Sequence, residues 1–165
     1  MGLGSFFKNI FSGGGGSDKM DLQRVKNNLV SSLKSTFGLE FEGKLESSDD
    51  GSKYVKVTNS ITHNAYKDDI FCKILVFPSG SFGIEFVFDK LRVTPNVVQM
   101  LYEFNENIAF LSAYVRDDGY LVVHYNVAYL DEGDIWENVR RALNSLSNDT
   151  IKRYLVPLSN LTYSE

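Results

Sequence analysis

A single cysteine, Cys72, stands in a chain of 165 residues, so no disulfide framework and no multi-cysteine metal site can be built within it. There are only two histidines, His63 and His124, and neither has a carboxylate or thiol at ligand spacing. Three prolines and no long polar tract argue against global disorder. Lys and Arg number 17 against 21 Asp and Glu, a formal net charge of −4, which speaks against non-specific nucleic-acid binding. No apolar run approaches the roughly 18–20 residues of a transmembrane helix. The glycines form neither GxGxxG after a strand nor GxxxxGK[ST], so no phosphate-cradling loop is readable.

Catalytic candidates are correspondingly few. Cys72 falls mid-strand in IFCKILVF and reads as a buried, inert thiol. His63 lies in a polar stretch, and His124 shares a strand face with Tyr120, Val122 and Asn126, so both read as surface or packing residues. The acidic groups Asp49-Asp50, Asp68-Asp69, Asp117-Asp118 and Asp131, Glu132, Asp134 lack the ligand spacing of a calcium loop. Turns and helix capping account for them. Arg140-Arg141 reads as a solvated helix face. The sequence therefore predicts a protein that is not an enzyme and takes no cofactor and no metal.

What is plentiful is aromatic surface: 12 Phe, 9 Tyr and one Trp. Their strand neighbours are acidic or apolar rather than basic. That favours a core or a protein-binding face over a base-stacking platform, and no nucleic-acid partner is expected.

The chain divides into an amphipathic segment over 1–11, a flexible Gly/Ser linker over 12–17, and one α+β domain over 18–165. In the first, Leu3, Phe6, Phe7, Ile10 and Phe11 recur at i, i+3, i+4, i+7 and i+8, one apolar stripe of a helix. These five residues are the candidate contacts to a partner's groove, to a membrane surface or to the protein's own domain. Burying each is worth about 1.5–3 kcal/mol gross. Only Lys8 and the amino terminus are cationic there, so attraction to anionic lipid is weak. The segment lacks the basic cluster and long apolar stretch of a secretory signal, and Phe6 breaks the N-myristoylation pattern. The linker SGGGGS, Ser12 to Ser17, has maximal backbone freedom. The same six letters are what the designer of a fusion would insert.

In the domain, Asp18 or Asp21 can cap a helix carrying Leu22, Val25, Leu29 and Leu33, ended by Gly38. The period then changes to two. Strands are predicted over 39–45, 53–58, 70–77 and 82–88, with 59–69 as loop and the third strand central because it is apolar on both faces. Thr94-Pro95 starts a second helix whose apolar face would hold Val97, Val98, Leu101, Tyr102 and Phe104. Asp117-Asp118-Gly119 joins two strands, 110–116 and 120–130, as a hairpin. Asp134 and Glu137 suggest a capping box for a third helix, and a further helical stretch over 150–161 should break or kink at Pro157. Clustered strands without a βαβ series predict an α+β fold with a mostly antiparallel sheet, in helix–strands–helix–hairpin–helix order.

That order, with FNENIAF (Phe104 to Phe110), the acid-acid-Gly turn at Asp117 to Gly119 and IWENVRRALNSL (Ile135 to Leu146), resembles the YbjN-like families. These share their fold with the type III secretion chaperones, and Asn105 matches an asparagine near the end of the family's middle helix. Four strand-like segments precede that helix here, where the chaperone fold has three. The resemblance implies a non-enzymatic, cytoplasmic, dimeric protein that binds other polypeptides. The expected function is a chaperone- or adaptor-like protein-binding module. It would use an exposed sheet face, a sheet edge or the tethered stripe, and its partner is another protein or a second copy in a homodimer. The alternative is a peripheral membrane protein anchored by residues 1–11.

Overall fold

The computed structural model describes residues 20–128 and 132–164, without the side chains of 126–128 and 132. Ten elements follow in order. They are α1 (Leu22–Phe37), β1 (Glu42–Ser47), β2 (Lys53–Ile61), β3 (Ile70–Phe77), β4 (Ser81–Lys90), α2 (Pro95–Asn107), β5 (Ser112–Val115), β6 (Tyr120–Ala128), α3 (Glu132–Ser145) and α4 (Asp149–Asn160). The six strands form one sheet in the order β1-β2-β3-β4-β6-β5, and every neighbouring pair is antiparallel. The fold is α+β.

Local chemistry sets most boundaries. Asp21 accepts the Arg24 N–H at 3.0 Å and caps α1, and Gly38 leaves the helix at φ 69°, a left-handed conformation that glycine adopts without a Cβ penalty. Thr94 accepts the Val97 N–H at 3.2 Å, with Pro95 at the start of α2 where its missing N–H costs nothing. Gly119, at φ 90°, closes the β5–β6 turn, and Arg116 clamps Asp118 at 2.6 Å.

Several expectations are corrected. The first strand starts at Glu42 rather than Leu39; Phe41 is buried ahead of it and Leu45 is exposed near the sheet edge. Strand β2 runs on to Ile61, since Ser60 and Ile61 pair with Phe71 and Ile70. β5 is shorter than expected, and Phe110 is exposed before it, edge-on to the Tyr125 ring. Val98 and Tyr102 point outward from α2, whose buried residues are Val97 and Phe104. Asp134 lies inside the first turn of α3 rather than at its cap. Helix α4 runs through Pro157 to Asn160, held by the buried Ile151, Leu155 and Leu158. An interior proline costs about 3 kcal/mol, and packing of that apolar face outweighs it.

Side chains paired across neighbouring strands share a face. On one face lie rows such as Val57, Ile74, Ile84 and Tyr125, or Cys72, Phe86, Val123 and Ala113. These join one hydrophobic cluster with Val25, Leu29 and Leu33 of α1, Phe104 of α2, Val139 of α3 and Leu155 of α4. The four described helices therefore pack on that side, and the other face is free of helices among the described residues. The other face contributes no described residue to the cluster. It is β4, not β3, that is buried on both faces: Ser81 to Phe86 are all buried, while β3 alternates buried and half-exposed positions.

The two sheet edges differ. Asn105, at the end of α2, clamps the outer edge of β5: its amide donates to the Ala113 carbonyl at 2.8 Å and accepts the Ala113 N–H at 2.7 Å. β1 is an open edge lined by Glu42, Lys44 and Glu46, the charged pattern that discourages strand addition. Replacing Asn105 by Ala leaves both Ala113 groups without their partners. We expect Asn105→Ala to lower stability in urea unfolding by about 1 kcal/mol. Asn107→Ala, which removes one exposed bond to the Glu103 carbonyl, should change it by less than about 0.5 kcal/mol.

Candidate functional site: the helix-free face

Antiparallel register builds this face row by row. Glu42, Thr58, Lys73, Glu85, His124 and Ser112 are matched partners, one from each strand, and form a polar row across the whole sheet. On one side of it runs an apolar row of Phe71, Val87, Val122 and Tyr114. On the other lie Leu75 and Gly83, and beyond them Tyr54 stacks on Phe77 with ring centroids 5.3 Å apart. Phe71 is 43% exposed, whereas Val122 is fully buried between larger neighbours.

Four ion pairs lie within this face, and Lys90 stands over its Tyr120 ring. Lys44 meets Glu42 at 2.8 Å, and Lys56 meets Glu46 at 3.0 Å, where the Tyr54 hydroxyl also donates at 2.8 Å. Arg116 meets Asp118, and Lys73 meets Glu85. The molecule's net negative charge is thus carried elsewhere.

Glu85 is the unusual residue. It sits at the middle of the face and is only 4% exposed. The Lys73 ammonium contacts its Oε2, but off the hydrogen-bond direction, so that oxygen has charge compensation and no hydrogen bond from any described residue. His124 lies beside it, and burial holds its imidazole below its ordinary pKa, with Glu85 opposing and Lys73 reinforcing that shift. Tyr114 is pushed up by burial and by the Glu85 charge. A side chain at position 83 would crowd His124, whose Nε2 would stand 3.1 Å from the added Cβ, so glycine there leaves room for the ring.

The remaining sequence candidates are dispersed. Cys72 is wholly buried on the helix side, where burial raises its thiol pKa, and it faces away from His124 through the sheet. His63 bonds Ser147 at 2.9 Å in the loop after β2. Asp50 binds Ser48 and the Ser52 backbone, Asp68 and Asp69 bind Thr162 and Thr62, and Asp118 holds Arg116. Among the described residues no group of three His, Cys, Asp or Glu could hold a metal, and no helix is long and apolar enough to cross a membrane. A groove of about 320 Å³ beside Phe110, Arg140, Arg141 and Asn148 lies on the helix side. Its Arg140 is held by Glu137 at 2.6 Å and its Asn148 caps α4, so its polar groups are already engaged in the fold.

The stripe residues Leu3, Phe6, Phe7, Ile10 and Phe11, and the capping candidate Asp18, lie outside the described residues. The face itself was half legible. Its exposed aromatics follow from strand alternation, but the matching of Lys73, Glu85 and His124 depends on register between strands far apart in the chain. No protein-family model, curated protein or solved structure matches this chain.

Two outcomes test this electrostatic picture. Lys73→Met leaves the Glu85 carboxylate buried without its counter-charge and should cost about 3 kcal/mol. Glu85→Gln leaves a half-exposed lysine that water can solvate and should cost about 1 kcal/mol. Equal losses in urea titrations would refute the asymmetry. His124 has a folded pKa below 6.5, so in acid the unfolded chain takes up the proton first. Stability should fall as pH drops below 6.5. His124→Gln should reduce that slope, leaving the part due to His63, which burial also shifts down.

Proposed function

We propose that this chain is a non-enzymatic protein-binding module, adaptor- or chaperone-like, and that the helix-free face of its sheet is the recognition surface. One observation carries the reading. A broad face of a six-stranded sheet holds Tyr54, Phe71, Leu75, Phe77, Val87 and Tyr114 outside the hydrophobic cluster, with its ion pairs already satisfied. A surface that mixes these apolar side chains with paired charges has the composition of a protein interface. The dispersal of Cys72, His63 and the carboxylates supports a binding role over a catalytic one. The element order supports the resemblance to the YbjN-like families. The fourth strand ahead of α2 and the extra helix α4 are departures from it. Residues 1–11 would be a second attachment point on the same module.

The test is affinity capture from cell extract with the immobilised full chain. Phe71→Glu with Leu75→Glu should reduce captured polypeptide at least tenfold, while Phe7→Asp retains it. Both positions are partly solvated, so the double variant should still unfold cooperatively. An unchanged captured set would overturn the reading.

A further inference from the structure

The polar row across the helix-free face has an order that is its own complement. Numbering strands by position in the sheet, β1, β2, β3, β4, β6 and β5 contribute Glu42, Thr58, Lys73, Glu85, His124 and Ser112. A two-fold axis parallel to the strands, between β3 and β4, exchanges the third position with the fourth, the second with the fifth and the first with the sixth. A face laid on a copy of itself about that axis sets Lys73 opposite Glu85, Thr58 opposite His124, and Glu42 opposite Ser112. Each is a donor–acceptor or opposite-charge match. In the adjoining rows the same axis sets Phe71 over Val87, and Leu75 over Gly83, beside the His124 ring that lies against that glycine. The axis falls at the middle of the six strands, so every strand of one copy has a counterpart in the other.

We propose that the helix-free face binds a second copy of this chain, forming a two-fold sandwich of two six-stranded sheets. The inference rests on the reading of that face as a protein-binding surface and names its partner. Three further observations support it. Glu85 is buried against Lys73 in the middle of the face, in the row that the axis brings against a second Lys73. The four ion pairs balance eight charges within the face, so the net charge of −4 does not arise from them. At about 4.8 Å between strands and about 3.3 Å per residue, six strands and six residues cover about 600 Å² per copy. Two copies bury about 1,200 Å², enough for a specific interface of ordinary size. Edge pairing is the weaker route, because Asn105 clamps β5 and β1 is lined with charge. The strand axes of the two copies would lie nearly aligned, with β3 of one copy antiparallel to the β4 it faces.

Sedimentation equilibrium of the full chain between 1 and 200 µM (about the range for micromolar association) provides the test. The wild-type chain should be a dimer, and Leu75→Glu should weaken it at least 100-fold with unchanged circular dichroism. Lys73→Glu and Glu85→Lys should each be monomeric alone and should form a mixed dimer when combined, since the axis then sets opposite charges against each other at both positions. Should either swap fail to fold, Leu75→Glu and Phe71→Glu carry the test. A monomeric wild-type chain overturns the inference, and so does a dimer indifferent to Leu75→Glu. Dissociation by Phe7→Asp instead would assign the contact to the N-terminal stripe and overturn it as well. A monomer whose Phe71→Glu, Leu75→Glu variant still loses captured polypeptide would end the dimer inference alone and leave the protein-binding reading standing.

Discussion

Strand β4 is the constraint on which the rest depends. It is paired on both sides, by β3 and by β6, and six consecutive residues from its start are buried. A strand so placed must satisfy two environments at once through its alternating side chains. Phe82, Ile84, Phe86 and Phe88 go to the helices and anchor the core. Gly83, Glu85 and Val87 go to the opposite face and set its chemistry. The small glycine gives room to the His124 ring, and the carboxylate is recessed in the middle of the face. A lysine from β3 and a histidine from β6 flank that carboxylate because register leaves them nowhere else to be.

The helices complete the asymmetry. The four described helices contribute to one hydrophobic cluster on one side of the sheet, and no described residue of the second side joins it. The edges are managed separately, one by the Asn105 clamp and one by charge. A sheet with guarded edges and an unguarded face can still meet another surface broadly, and chiefly through side chains rather than backbone. That kind of contact discriminates by shape and charge order, which is where a self-complementary row matters.

The far end of the molecule is tied by long-range hydrogen bonds. Tyr66, in the loop between β2 and β3, donates to the Leu146 carbonyl at 2.8 Å and packs on Phe88. Lys67 reaches the Thr162 carbonyl at 2.8 Å, Thr162 reaches Asp68, and Tyr163 bridges to Lys90. These contacts bind the C-terminal residues to the end of the sheet. A polar stretch that looks like a free loop is in this way part of the frame, and the acidic pair Asp68-Asp69 is structural.

The sequence by itself determined the elements whose causes are local. The caps at Asp21 and Thr94, the left-handed Gly38, the Asp-Asp-Gly hairpin and the period-two strands need only neighbouring residues, and from them the α+β class follows. Only the tertiary structure decided that helix α4 runs through Pro157, because packing free energy from distant residues outweighs a local penalty. It alone turned Val98 and Tyr102 to solvent, since the width of the buried stripe depends on what α2 packs against. It alone made β4 the doubly buried strand. It alone brought Lys73, Glu85 and His124 into one row. Register across three strands is set by hydrogen bonding between segments up to 51 residues apart, and no local pattern in the chain encodes which residues will face each other.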